Sequence, residues 1–358
     1  MVSNIPGGSR VIHSLPNGDF FERTKASLIL HFAGSRKVLS TSPLNGGYRE
    51  DLTHVFNHDC LYGTDGYIRM KGDTYREHML NTVKEIGLDP GTCAGLETAA
   101  QMRNASIKSM SGGGVTVTAV TTAGVQFNAA RAGDEASWEE SSDVARPHPA
   151  GTINTILCIS SDMSEGAMAG AMVTCTEAKT VALQELVIPS CYSPGLATGT
   201  GTDGIIIVAD AGSPKYLTDA GKHTRLGEMI GKCVIASIKE AIDKQTGWNA
   251  SYMHDAVIRT QRFGVDAADI PSDIRYKKKY VVAAGLIAHL LDELNWGLID
   301  EEEADFGARW VLEGCNGMPP YDDVSSSGAD ETRKKILDSW KDFCNNNYCL
   351  NNNMEDLT

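Results

Sequence analysis

Residues 152–160 read Thr-Ile-Asn-Thr-Ile-Leu-Cys-Ile-Ser, and residues 197–209 read Ala-Thr-Gly-Thr-Gly-Thr-Asp-Gly-Ile-Ile-Ile-Val-Ala. The first stretch, and Ile205–Ala209 of the second, are short β-branched runs apolar enough to be buried strands. A helix is predicted between them. Asp162 can cap it, Glu165 three residues on can close a capping box, and Ala167–Ala171, Ala178 and Leu183 carry it to about Leu186. Gly199-x-Gly201-x-x-Gly204 spells a dinucleotide fingerprint, but those glycines should follow a strand and open a helix, so that the pyrophosphate meets the helix N-terminus. Here they precede a strand, which argues against a nucleotide site.

Working outward, strands and helices alternate. Ala26–Phe32 sets Leu28, Leu30 and Phe32 on one side of a half-buried strand. Val38-Leu39 is a short strand, and Val115–Val125 a long one entered through the flexible Ser111–Gly114. Asp73–Ile86 reads as a helix with Tyr75, Met79, Leu80 and Val83 on one stripe, and Leu217–Lys244 as another with Leu226, Ile230, Val234 and Ile238 four apart. The expected class is α/β, with mixed β-sheets layered with α-helices. Composition shifts near residue 265 from Gly, Thr and Val to acidic, helical patterns. We therefore expect a main domain over 1–264 and a helical C-terminal extension over 265–358. Its helices are predicted at Lys278–Asn295, Glu301–Glu313 and Asp330–Asn345, with a linker at Met318–Gly328 and a polar tail at Cys344–Asn353.

Composition excludes several functions. The 358 residues are 42% apolar and 22% charged, which rules out wholesale disorder. The formal charge of −14 argues against binding nucleic acid, which needs a basic stripe, and against docking on an anionic membrane. The longest nearly apolar run, Val281–Leu291, is far short of a membrane span and is interrupted by His289. No basic-then-apolar leader opens the chain. Nine cysteines without a CxxC pair suit reduced thiols in a cytoplasm and show no zinc spacing; Cys93, Cys158, Cys175 and Cys233 sit in small or apolar surroundings and are expected in the core.

Five segments can carry chemistry. The turn Thr198–Asp203 packs hydroxyls, backbone N–H groups and a carboxylate into little space, suited either to an anion or oxyanion nest or to a self-satisfied tight turn. At the strand start Thr152-Ile-Asn-Thr155, Thr152 and Asn154 share one face while Thr155 points the other way. In Thr174–Thr180, Glu177 lies on a helix face with Thr180 and Gln184, away from Lys179, and reads as an acid or base or as a solvated charge. His223, in Thr218–Leu226, is a candidate acid or base or a surface histidine. The polar loop Ser40–Gly47 is of the kind that lines pockets.

Together these segments resemble the adenosylcobinamide amidohydrolase family. The likeness rests on Leu39-Ser-Thr-Ser-Pro-Leu-Asn-Gly-Gly47, Gly151-Thr-Ile-Asn-Thr-Ile156, Thr174-x-Thr-Glu-Ala-Lys-Thr180 with Leu183-x-Glu185, Thr198-Gly-Thr-Gly-Thr-Asp203 and Leu226-Gly-x-x-Ile-Gly231. It implies cleavage of the amide joining aminopropanol to the corrin side chain. The partner is then a small-molecule corrinoid that brings its own cobalt, with no separate cofactor or protein-bound metal; a homo-oligomer stays open. A second likeness, of Asn154–Asp162, a helix and Thr200–Ile207, is to self-cleaving amidohydrolases of the ornithine acetyltransferase and aminopeptidase group, and allows α-β-β-α layers. Those enzymes place a nucleophilic Thr or Ser eight residues before the aspartate, where this chain has Asn154.

Amide hydrolysis needs a nucleophile, oxyanion donors and a proton donor for the leaving amine. The catalytic set expected is Asn154, Thr155, Glu177 and Asp203: Thr155 or a water bound by Thr152 attacks, Asn154 donates to the oxyanion, the Thr200–Asp203 turn holds oxyanion or substrate, and Glu177 moves the proton. Ser42, Asn45, Thr152, Lys179, Thr200, Thr202 and His223 are expected to contact substrate. A corrinoid-binding module without hydrolysis is the rival reading; it would keep the loops and lose Glu177 or Asp203, both present here.

Overall fold

The computed structural model describes residues 4–5, 8–64, 69–136 and 150–317. Its strands are β1 (Asn4–Ile5), β2 (Ser9–Ser14), β3 (Phe20–Arg23), β4 (Ser27–His31), β5 (Arg36–Ser40), β6 (Gly47–Arg49), β7 (His54–Asp59), β8 (Cys93–Thr98), β9 (Ser106–Gly112), β10 (Val115–Ala123), β11 (Ala129–Ala130), β12 (Ile153–Ile159), β13 (Asp162–Met163), β14 (Gly199–Thr200), β15 (Gly204–Asp210) and β16 (Tyr216–Leu217). The helices are α1 (Tyr75–Glu85), α2 (Glu165–Glu185), α3 (Arg225–Thr246), α4 (Ala256–Thr260), α5 (Ser272–Arg275), α6 (Lys278–Asn295) and α7 (Glu301–Gly317).

Two six-stranded sheets form the centre, in the orders β1-β2-β3-β4-β7-β8 and β6-β5-β15-β12-β10-β9. Both are mixed, as expected: β7 with β8 and β12 with β15 are parallel, and the remaining neighbours antiparallel. Strand period 2 sorts their side chains into three apolar layers. Ile29, Phe56 and Cys93 of the first sheet pack with Met79 and Val83 of α1. Leu28, Leu30, Val55, Ala94 and Leu96 meet Val38, Val120, Ile156, Cys158, Ile206 and Val208 between the sheets. Ile153, Leu157, Ile205 and Ile207 meet α2 and α3 through Ala171, Cys175, Ile230 and Val234. The stack is therefore α-β-β-α. Cys93, Cys158, Cys175 and Cys233 are all buried.

Two helix starts differ from the sequence reading. Asp162 and Met163 form β13 beside β16, so the cap of α2 is Ser164, whose Oγ accepts the Ala167 N–H at 3.1 Å. Leu217 likewise lies in β16, and α3 begins at Arg225 behind Thr224, which accepts the Gly227 N–H at 2.9 Å. The pairing of β13 with β16 claims the residues that the helical pattern alone assigns to helices.

The chain forms two compact units, Met1–Ala304 and Asp305–Thr358. The first continues past the expected boundary at Gly264. The Arg262 guanidinium, on the turn after α4, makes two bonds of 2.5 Å to Asp292 of α6, and Arg275 pairs with Asp255. Of the second unit, the α7 residues up to Gly317 are described; the predicted linker, the helix Asp330–Asn345 and the polar tail lie outside the described residues.

Candidate active site

One end of the sandwich gathers the ends of β5, β7, β8 and β10 and the starts of β12 and β15. In register, Thr122 of β10 lies opposite Asn154 of β12, and Asn154 beside Gly204 of β15. From the other sheet Asn57 reaches across: its Nδ2 donates to Thr122 Oγ1 at 2.7 Å, while its Oδ1 accepts from Asn154 Nδ2 at 2.9 Å. The second Asn154 N–H goes to the Glu97 carbonyl at 2.8 Å. A Cβ on Gly204 would stand 2.7 Å from Asn154 Oδ1 and 2.6 Å from Leu96 Cδ2, so only glycine lets β15 lie this close.

The glycine-rich turn is laid over the start of β12. Asp203 Oδ1 accepts the Ile153 N–H at 3.0 Å and the Thr200 hydroxyl at 2.5 Å; Oδ2 accepts the Thr200 N–H at 3.0 Å and pairs with Lys179 Nζ. Thr152 and Thr202 hydroxyls meet at 2.6 Å, and Thr202 donates to the Gly151 carbonyl at 3.1 Å. Asn128, which the sequence reading did not single out, donates to Gly151 O at 2.8 Å and Thr202 Oγ1 at 3.2 Å, and accepts the Tyr192 hydroxyl at 3.0 Å. Thr180 Oγ1 ties α2 to the Thr198 carbonyl at 3.1 Å. Thus Asp203, Lys179, Thr200, Thr202 and Thr152 come together as one network.

Other expected residues do not join it. Glu177 points to solvent on α2 and pairs with exposed Lys222. His223 is exposed at the opposite end of the sandwich, where the start of α3 packs on the β9–β10 hairpin: a Cβ on Gly112 would meet Arg225 Nε at 3.0 Å. Neither is placed to exchange protons with the Asp203 network. Asn154 is buried with both N–H groups engaged, so the donor expected for the oxyanion is already committed to Asn57 and Glu97. Thr155 faces α3, its Oγ1 3.1 Å from Thr121 Oγ1, which is 2.9 Å from Ser237 Oγ. Enclosed there at 2% exposure, it offers almost no surface to a substrate. Ser42 Oγ donates to Leu44 O at 2.6 Å and accepts the Gly95 N–H at 3.1 Å, and Asn45 Nδ2 donates to the Pro90 and Cys93 carbonyls at 2.7 Å each. These two side chains fasten the β5–β6 loop to β8 and its entry.

Residues 12–250 match the family described as adenosylcobinamide amidohydrolase. The chain belongs to the adenosylcobinamide amidohydrolase family. It is 37% identical over 247 residues to an uncharacterized protein of Methanocaldococcus jannaschii, across 66% of this chain and 92% of that one. It is 39% identical over 103 residues to an adenosylcobinamide amidohydrolase of Methanosarcina mazei, across 26% of this chain and 48% of that one. The family match takes in the second sheet, β3 to β8 with the end of β2, and α1 to α3, hence every residue of the Asp203 network. No helix among the described residues is long and apolar enough to cross a membrane.

The outer face of β7 and β8 carries titratable groups the sequence reading also passed over. His78 Nε2 lies 2.8 Å from Glu97 Oε2, with His78 Nδ1 accepting the Lys71 N–H at 2.9 Å. His58 Nδ1 is 2.8 Å from Ser27 Oγ, and burial pushes its pKa down from 6.5 to about 4. Burial lifts the neighbouring Asp59 carboxyl from 3.8 to about 6, against the bonds it accepts from backbone N–H groups. The consequences for stability have opposite signs. Between pH 6.5 and about 4 the unfolded chain holds the extra proton at His58, so acid destabilises; between about 6 and 3.8 the folded chain holds the extra proton at Asp59, so acid stabilises. Each effect is on the order of 3 kcal/mol. Relative to the native protein, Asp59→Asn is expected to steepen the loss of stability from pH 6.5 to 4, and His58→Gln to lessen or reverse it. Urea unfolding across that range measures both slopes; parallel slopes for all three proteins would contradict the assignment.

Proposed function

We propose that this protein hydrolyses the aminopropanol amide of adenosylcobinamide, releasing adenosylcobyric acid and 1-amino-2-propanol, a step of corrinoid salvage that lets the lower-ligand arm be rebuilt. The observation that carries the reading is the family match over residues 12–250 together with the network it contains, in which a lysine–aspartate pair, three threonine hydroxyls and a glycine-rich turn meet at one end of the sandwich. Water supplies the oxygen that joins the acyl carbon; the C–N bond breaks and the amine leaves with a proton. In this reading Lys179 supplies positive charge to the developing oxyanion and a proton to the departing nitrogen, and takes in exchange the proton that the attacking water gives up. Asp203 fixes Lys179 and holds the turn against Ile153. Thr152 and Thr202 position the attacking water. The cobalt arrives inside the substrate, and the reaction as written calls on no further cofactor.

The test is mass spectrometry of adenosylcobinamide incubated in the dark with purified protein, without added metal or nucleotide. Adenosylcobyric acid and free aminopropanol are expected in equal amounts. Intact substrate after long incubation with a protein that binds it would leave a corrinoid-binding module instead.

A further inference from the structure

A cavity of about 400 Å³ adjoins the glycine-rich turn. Its walls are the loop Arg131–Asp134, the loop Ser193–Gly195, and Asp292, Asn295 and Trp296 at the end of α6. The first wall is tied to the turn, for the Ala132 N–H donates to Thr198 Oγ1 at 2.9 Å. The α6 wall is fastened to the second: Arg262 donates to the Pro194 carbonyl at 2.7 Å as well as gripping Asp292. Residues 292–296 lie beyond the region matched to the family.

The lining selects a chemical class. Both carboxylates are occupied: Asp292 by Arg262, and Asp134 by the Ser190 hydroxyl, the Ser193 hydroxyl and the Arg131 N–H at 2.5–2.7 Å. No free negative charge is left to call for a cation. The lining also holds half-exposed Trp296, exposed Asn295 and Arg131, whose Nη1 donates to the Leu196 carbonyl at 3.3 Å. An indole face beside an amide and a guanidinium suits a neutral, planar heterocycle with donors and acceptors around its edge. The volume lies in the range of small-ligand pockets and is too small for a corrin macrocycle fringed with amide chains. We propose that this cavity receives the adenine of the substrate's adenosyl group, stacked on Trp296 with Asn295 and Arg131 at its edge, so that α6 gives this chain a preference for adenosylated corrinoids.

The inference rests on the corrinoid reading above but not on turnover. The full chain is equilibrated in the dark with adenosylcobyric acid or with cyanocobyric acid, neither of which carries the scissile amide, and binding is read by equilibrium dialysis. Adenosylcobyric acid is expected to bind more tightly, Trp296→Ala to reduce that preference about tenfold, the scale of one aromatic stack, and Trp296→Phe to retain most of it. Equal binding of the two corrinoids, or a preference untouched by Trp296→Ala, would overturn the proposal. So would free adenosine binding as tightly as adenosylcobyric acid, which would make the cavity a nucleoside site unrelated to the corrinoid. A protein that shows the Trp296-dependent preference yet fails to hydrolyse adenosylcobinamide keeps this inference and loses the reaction.

Discussion

Lys179→Met is expected to lower turnover of adenosylcobinamide by about 10²–10³-fold, the usual loss on removing one group that stabilises a developing oxyanion. The same change also strips a carboxylate of its counter-charge. Lys179 and Asp203 side chains are only 12% and 11% exposed. Breaking a pair so enclosed costs roughly 3 kcal/mol, because the remaining charge stays buried without compensation. A single variant therefore mixes chemistry with stability. The double variant Lys179→Met, Asp203→Asn separates them. The carboxamide is neutral, keeps the shape of Asp203 and can still accept from Ile153 and Thr200, so unfolding should return toward native values while turnover stays low. Urea unfolding and steady-state kinetics on all three proteins make the comparison. If the double variant recovers turnover along with stability, the pair is a fastening and Lys179 takes no part in the reaction.

That Lys179 and not Glu177 meets the turn shows where the sequence stops being legible. Residues two apart on a helix point about 200° away from each other. The spacing in Thr174–Thr180 thus separates the two charges correctly but is silent on which face looks inward; the packing of Ala171, Cys175 and Ala178 against β12 and β15 decides that. The strands Ile153–Ile159 and Gly204–Asp210 are readable because the runs Ile156–Ile159 and Ile205–Ala209 are apolar and buried on both faces. The strands β7 and β8 are not, since each carries polar side chains into a buried layer. Asn57 enters the space between the sheets, while His58 and Glu97 enter the space under α1, so no alternation of apolar and polar residues survives. Their partners come from Thr122, Asn154 and His78, at separations that no local pattern records. His223 reads as a candidate acid or base from its residue type alone, yet the direction of α3 sets it at the far end.

Asn154→Ala is expected to destabilise the protein by about 2–4 kcal/mol while changing turnover of the folded enzyme less than about tenfold. The side chain gives both hydrogens to Asn57 Oδ1 and the Glu97 carbonyl, at 2.9 and 2.8 Å, and its removal leaves two buried acceptors unpaired at about 1–3 kcal/mol each. An amide so committed joins the two sheets and has no hydrogen left for an oxyanion. Thr155→Val, on the opposite face of the same strand, should cost under about 1 kcal/mol, since Thr121 keeps its Ser237 partner at 2.9 Å. The two substitutions therefore rank oppositely to a scheme in which position 154 or 155 performs the chemistry. Denaturant midpoints and kinetics well below the unfolding temperature supply the ranking. A 10²–10³-fold loss of turnover in Asn154→Ala with unchanged unfolding would mean that Asn154 exchanges its partners for the oxyanion during the reaction. A folded but dead Thr155→Val protein would make that threonine the nucleophile despite its burial. Because a carboxamide does not attack a peptide bond as the hydroxyl of the self-cleaving enzymes does, the purified chain should also run on a denaturing gel as one species of 38.4 kDa. Two fragments meeting near residue 154 would show that a neighbouring group has taken over the cleavage that Asn154 cannot perform.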